Sequence, residues 1–220
     1  MTLPAQQDER VPDFDQKFQD TLHTLFLWRR DVRRFRRDPI PDAEVADLLT
    51  LAALAPSVGY SQPWRFVLVE DTARRAAVRE NFARCNAEAL AEQRGARAKL
   101  YAGLKLSGLE DAPVQIAVFC EDATPVGNGL GRRTMPETLR YSVVTAVHTL
   151  WLAARARGIG VGWVSILDPK TLSKSLDVPK DWSLVAYLCI GWPEEEHLDP
   201  ELLRNGWEDR QDLAAGIIRR

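Results

Sequence analysis

The chain reads as an α+β protein in which helices surround a small sheet. Two apolar runs, Val114 to Cys120 and Leu184 to Ile190, have the length of strands buried on both faces. Elsewhere apolar residues recur at helical spacing. The order is helix, helix, strand, long helical region, strand, helix, strand, short helix, strand, which is that of a single α+β unit. Of 220 residues, 45% are apolar and 27% charged, enough for one core and unlike a disordered chain.

Phe14, Phe18, Leu22 and Leu25 predict a first amphipathic helix, entered after Pro12 and ending near Trp28. The arginine-rich segment Arg29 to Arg37 follows, and Pro39 and Pro41 break the chain. Val45, Leu48, Leu49 and Ala52 share one face of a second helix, with Asp42 and Glu44 suiting its positive N-terminal end. Ser57 to Pro63 reads as a loop and Trp64 to Val69 as a strand. Residues 71–93 suit a long exposed helix, and Gly95, Gly103 and Gly108 punctuate a looser helical excursion.

A glycine-rich loop covers Pro125 to Arg133. Thr134 and Glu137 stand in capping-box spacing at the start of a helix that is apolar nearly all round, ended by Gly158 and Gly160. Such a helix belongs in a core or against a second subunit. Val161 to Ile166 is a strand, Asp168-Pro169 caps a short helix carrying Leu172 and Leu176, and Gly191-Trp192-Pro193 closes the last strand.

With 29 basic and 31 acidic residues the formal net charge is −2, poor for general nucleic-acid binding. The start, MTLPAQQDER, has no basic-then-apolar signal, and Val143 to Ala154 is far too short to span a bilayer. Cys85, Cys120 and Cys189 are too dispersed for a disulfide framework, and with three scattered histidines they predict no metal site. Buried, reduced thiols and a cytoplasmic location are the expectation.

Four places could carry chemistry. Six of the nine residues from Arg29 to Arg37 are arginine, a density that repels itself unless carboxylates or a bound anion such as phosphate lie close. A solvated basic patch is the plainer alternative. Asp31 is the one acid inside the run, an ion-pair partner or a carboxylate beside a ligand. The loop Gly127 to Arg133 lacks a dinucleotide fingerprint, because its third glycine position is Arg132, and reads as a flexible surface loop. Ser165 and His148 could pair for nucleophilic catalysis, but His148 lies in the apolar helix and reads as a core histidine. Ser57, Ser61 and Gln62 offer uncharged hydrogen bonds suited to a flat heteroaromatic ring.

Taken in order, these pieces resemble the nitroreductase family of flavin enzymes. The likeness rests on Arg29-Arg30-Asp31-Val32-Arg33-Arg34-Phe35, on Ala55-Pro56-Ser57 through Gln62-Pro63-Trp64-Arg65-Phe66, on Gly158-Ile159-Gly160-Val161-Gly162-Trp163, and on Gly191-Trp192-Pro193. It runs from about Phe14 to Arg210. Asp31 stands where ordinary members carry Ser or Thr. Together with Ser165 and Pro56-Ser57-Val58-Gly59, it resembles those members that fragment flavin rather than recycle it.

The resemblance implies a mainly antiparallel central sheet flanked by helices and an intertwined homodimer with flavin at the interface. It implies one domain over 1–220, with 12–210 as core and 95–108 as lid. Reduced FMN would be the substrate, and O2 would attack it to give 5,6-dimethylbenzimidazole, the lower ligand of cobalamin, and erythrose 4-phosphate. A flavin reductase would supply the reduced flavin. Arg29, Arg30 and Arg33 match positions that hold the phosphate and ring edge. Ser57, Ser61 and Gln62 match a loop that reaches the partner's flavin, and Arg204 or Arg210 supplies a C-terminal phosphate contact. Asp31 is the expected base, held ionised and weakly basic by its arginines, with Ser165 as a hydrogen-bonding group on the ring's other face. The competing expectations are an NAD(P)H-dependent nitro- or quinone reductase and a non-catalytic FMN- or nucleic-acid-binding module.

Overall fold

The computed structural model describes residues 11–104 and 107–220. Its elements are α1 (Gln16–Trp28), α2 (Asp42–Ala52), β1 (Trp64–Leu68), α3 (Thr72–Glu92), α4 (Gly95–Gly103), α5 (Gly108–Asp111), β2 (Val114–Glu121), α6 (Thr138–Arg155), β3 (Gly160–Val164), α7 (Pro169–Ser175), β4 (Trp182–Gly191) and α8 (Glu201–Arg204). Single turns of 3₁₀ helix lie at Val58–Tyr60 and Leu213–Gly216. No helix among the described residues is long and apolar enough to cross a membrane.

The strands form one sheet in the order β1-β2-β4-β3, with every pairing antiparallel. The apolar runs predicted as buried strands are its two central members. Side chains alternate across the sheet with a period of two. Ile116, Val118, Cys120, Ala186, Leu188 and Ile190 therefore pack with α2 and α6 on one face. Ala117, Phe119, Tyr187 and Cys189 join Phe35, Val78, Leu109 and Leu172 on the other. Both central strands are covered twice, which is why their sequence shows no polar alternation. Gln115, inside β2, is fully buried; it accepts from the Tyr187 hydroxyl at 2.7 Å and donates to the Leu109 carbonyl at 3.0 Å. The pair satisfies two buried polar side chains and fixes α5 to the sheet.

Several boundaries differ from expectation. α1 begins at Gln16, capped by the Asp15 carboxylate accepting from the Phe18 N–H at 2.7 Å, so Pro12 and Phe14 lie outside it. A side-chain cap fixes a helix start more strongly than a proline. The predicted capping box at Thr134 and Glu137 does not form. α6 starts at Thr138, after a turn that begins at Met135-Pro136, and its cap residue Glu137 makes no side-chain bond. His148 is exposed rather than in the core, on the same side of α6 as Tyr141 and Val144, which are 56% and 39% exposed. The apolar composition of α6 thus exceeds what one chain buries. Cys120 and Cys189 are buried as expected, whereas Cys85 is only half-buried. The segment 95–108 holds α4 and the start of α5, with residues 105 and 106 outside those described.

Candidate active site

The arginine-rich segment is positioned by β3. Val32 N–H donates to the Val161 carbonyl at 3.0 Å, and Asp31 forms a parallel bridge with Val161, so the segment runs beside the edge of the sheet. The approach is close enough to require Gly162, where a Cβ would lie 2.1 Å from the Val32 carbonyl oxygen. From the helical side, the Trp151 indole N–H of α6 donates to the Arg30 carbonyl at 3.1 Å. A buried tryptophan needs such a partner, and here it fixes the motif's backbone.

Most of the crowded charge is neutralised within the chain. Arg34 donates to Glu195, through Nε at 2.8 Å, and its Nη2 lies 3.4 Å from Glu201. Arg36 pairs with Asp38 at 3.4 Å and Arg37 with Asp111 at 2.7 Å. Hydrogen bonds from His197 and Arg34 hold the Glu195 carboxyl low, at about 2. Arg29 and Arg30 are different. Among the described residues neither makes an ion pair. Arg29 lies over the Trp151 ring at 5.0 Å, and Arg30 donates through Nε to the Leu198 carbonyl at 2.7 Å. Burial and the nearby charges of Arg29 and Arg210 push the Arg30 guanidinium below its usual range. An open cleft of about 460 Å³ lies here, lined by Arg29, Arg30, Asp31, Arg33, Glu201 and Leu202 among others.

Asp31 sits at the floor of this cleft. Its Oδ1 accepts from the Trp163 N–H at 2.9 Å, and its Oδ2 lies 3.5 Å from Arg33 Nε. The side chain is 39% exposed, with Trp163, Arg33, Leu109 and Cys189 around it. Crowding wins: burial raises the carboxyl above the ordinary aspartate range against the opposing pull of the Trp163 N–H and Arg33. The expectation that the arginines make it a weak base is therefore corrected. Arg33 is the only guanidinium of the run that forms an ion pair with it, and that contact is long.

Ser165 lies just past the end of β3, two residues beyond Trp163, and is exposed. Arg204 faces a cleft that also includes Arg30, Asp31 and Arg33, but it is engaged with Asp199 at 2.9 Å. Arg210 is exposed and within electrostatic reach of Arg30.

The third group lies elsewhere. Ser57 Oγ accepts from the Gln62 N–H at 3.1 Å, while Ser61 is buried beneath Gly127, where a Cβ would lie 3.3 Å from its own. The Ser61 hydroxyl has no hydrogen-bond partner among the described residues. The glycine-rich loop therefore packs in defined turns against 57–62, with Gly127, Gly129 and Gly131 all at positive φ. In one chain this loop and Asp31 lie off opposite edges of the sheet. It leads into Trp64 on edge strand β1, opposite Cys120, whereas Asp31 borders Val161 on the other edge strand, in register with Ile190 and Val114. Along α6, Thr145 donates to the Pro56 carbonyl at 2.9 Å and Trp151 to the Arg30 carbonyl at 3.1 Å, so the two groups flank that helix six residues apart.

Sequence reasoning missed Trp151, Trp163, Gly162 and Glu201. Trp151 gave a signal, as a tryptophan inside a buried helix whose N–H must find an acceptor, and Gly162 a fainter one through its pairing with Gly160.

Residues 26–192, about three quarters of the chain, match the nitroreductase family. The chain belongs to that family. A protein of Rhodospirillum rubrum named 5,6-dimethylbenzimidazole synthase is 64% identical over 200 residues, covering 91% of this chain and 95% of its own length. One from Rhodobacter capsulatus with the same name is 47% identical over 197 residues, covering 90% and 95%. Among solved structures, an oxidized iodotyrosine deiodinase bound to FMN and 3-iodo-L-tyrosine superimposes with a TM-score of 0.71 at 26% identity, covering 90% of this chain and 97% of that one.

Proposed function

We propose that this chain forms 5,6-dimethylbenzimidazole, the lower ligand of cobalamin, by oxygen-dependent fragmentation of reduced FMN, with erythrose 4-phosphate carrying away four ribityl carbons and the pyrimidine portion of the ring leaving as a third fragment that takes up the oxygen atoms. The observation that carries the reading is the 64% identity, over nearly the whole chain, to a protein named for that product. The site's chemistry supports it. Arg29 and Arg30, cations without a carboxylate partner among the described residues, suit a phosphate dianion, and Arg210 or a reoriented Arg204 adds to them. The aromatic faces of Trp151 and Trp163, 6.5 Å apart, flank the same region.

In this reading reduced FMN is a substrate, and it supplies the electrons that O2 accepts. The protein's part is to bind, orient and move protons. Arg29 and Arg30 hold the phosphate, and Arg33 faces the ring edge. Asp31, with a carboxyl made more basic by burial, takes a proton from the ribityl chain near the ring. The Trp163 N–H fixes that carboxylate's orientation through Oδ1, leaving Oδ2 to react. Ser165 donates to the reacting oxygen, and α4 with α5 excludes water.

We infer that the active form is a homodimer. The loop carrying Ser57 and Gln62 lies off the edge strand opposite to the one that borders Asp31 and lines neither of the two larger clefts that include Asp31. Across a two-fold axis it reaches the partner's flavin instead. The exposed Tyr141 and Val144 face of α6 supplies apolar surface for such a contact. A separate flavin reductase delivers the reduced flavin, and the enzyme works in the cytoplasm, where its thiols stay reduced.

The test separates this reading from a recycling NAD(P)H-dependent reductase. Purified protein is given NAD(P)H with a nitroaromatic or quinone acceptor, and in parallel reduced FMN from an added flavin reductase in air. The expected result is no NAD(P)H oxidation in the first mixture and dimethylbenzimidazole in the second. Acceptor-dependent NAD(P)H oxidation with the flavin intact overturns it.

A further inference from the structure

We propose that Glu201 is a positioning residue for Asp31: it holds the Arg33 guanidinium between two carboxylates, so that Asp31 remains an open proton acceptor rather than half of a closed ion pair. The inference rests on the proposed reaction for its kinetic consequence only.

The geometry is that of a shared cation. Arg33 Nε is 3.5 Å from Asp31 Oδ2, and Arg33 Nη1 is 4.0 Å from Glu201 Oε1. An arginine and a carboxylate free to choose close to a two-pronged contact at about 2.8 Å. Neither acid achieves it. Arg33 Nε is buried and makes no hydrogen bond, an orphan that the protein tolerates in a chain whose other guanidiniums mostly find acceptors. Arg33 and Glu201 are only 11% and 12% exposed, so solvent screens their interaction little.

Glu201 is itself held in place. Its other oxygen, Oε2, lies 3.4 Å from Arg34 Nη2, and Arg34 is bound in turn to Glu195, which contacts His197 at 3.1 Å. The result is an alternating row, Asp31, Arg33, Glu201, Arg34, Glu195, His197, running from the cleft floor to the surface. Glu201 is the link that draws Arg33 outward. The groups facing Asp31 are few. Arg33 lies on its own segment, the Trp163 N–H comes from β3, the Cys189 thiol from β4 and Glu201 from α8, with Arg29 and Arg30 of its own segment lining the same cleft. The Glu201 charge opposes that of Arg33 at Asp31. Its removal frees Arg33 to close on Asp31 and deletes a like charge, and both changes weaken the aspartate's hold on a proton.

The test uses the full-length protein and two variants, Glu201→Gln and Glu201→Asp. Without flavin, the Asp31 carboxyl is titrated by ¹³C NMR, with its resonance assigned by Asp31→Asn. With reduced FMN in air, dimethylbenzimidazole release is measured against pH. In Glu201→Gln the Asp31 titration and the acid limb of the rate profile both move to lower pH by about one unit. Glu201→Asp, which keeps the charge, stays near the parent. A titration left in place by Glu201→Gln, or moved equally by Glu201→Asp, overturns the proposal. So does a uniform loss of rate with an unmoved limb, as a purely structural role would give. If the parent releases no dimethylbenzimidazole, the proposed reaction fails while the NMR titration still decides the role of Glu201.

Discussion

Asp31 shows how position rather than residue type sets reactivity. Surrounded in sequence by six arginines, it is expected to be strongly acidic. In space only Arg33 reaches it, and burial raises its affinity for protons. A base works in its ionised form, so the rate falls as pH drops through this raised value, and the acid limb lies above the ordinary aspartate value of about 4. Asp31→Asn keeps an oxygen for the Trp163 N–H but removes the proposed base. Product release should fall by roughly 10²–10⁴-fold while FMN still binds. The same raised value has a cost in stability. The folded state holds this proton more tightly than the unfolded chain, so the contribution is favourable below the unfolded value near about 4 and is lost as pH rises through the folded one. Asp31→Asn should therefore melt at or above the parent temperature at neutral pH, with the difference vanishing in acid. A variant that melts lower at neutral pH contradicts the burial argument. The arginine segment and its lone acid were legible in the sequence. The direction of the shift was not, because it is set by burial in the folded chain, opposed by Trp163 and Arg33 and aided by Glu201, and Trp163 and Glu201 lie far along the chain.

Elements were legible where one local signal dominated. The strands β2 and β4 were visible as apolar runs because both their faces are covered, and α7 was visible through Asp168-Pro169, whose carboxylate accepts from the Thr171 N–H at 2.7 Å. The start of α6 was misread because a capping-box spacing can occur without the cap, and here Pro136 sets the entry turn. His148 was misread because helical periodicity cannot say which apolar face is left over for another molecule. The contact between β3 and the arginine segment was also hidden, since only the pair Gly160 and Gly162 hints at it. That contact makes its own prediction. Gly162→Ala places a methyl 2.1 Å from the Val32 carbonyl oxygen, where neither backbone can yield without disturbing the Asp31 to Trp163 bond. Stability should fall by about 2–3 kcal/mol, read from the urea midpoint, and FMN affinity should fall with it. An alanine variant with parental midpoint and affinity contradicts the close approach.

At the scale of the molecule, the fold puts the two groups of candidate residues at diagonal corners of one sheet. The sequence shows both groups but not their separation, because strand order is a property of pairing rather than of composition. The proposed two-fold assembly would reunite them, and this predicts complementation. Asp31→Asn in one protomer and Ser57→Ala with Gln62→Ala in the other leave one of two sites intact. The purified heterodimer should show roughly half the parental activity per dimer, while either variant homodimer shows little. An inactive heterodimer would place both groups in one chain's site.

The central claim is that the flavin is consumed, and a single-turnover mass balance tests it most directly. Anaerobic protein is mixed with an equal amount of chemically reduced FMN and then exposed to air, and the flavin and organic products are quantified by chromatography. The account predicts dimethylbenzimidazole and erythrose 4-phosphate in equal yield, matching the flavin lost. Complete recovery of FMN, with O2 reduced and no dimethylbenzimidazole formed, would contradict it.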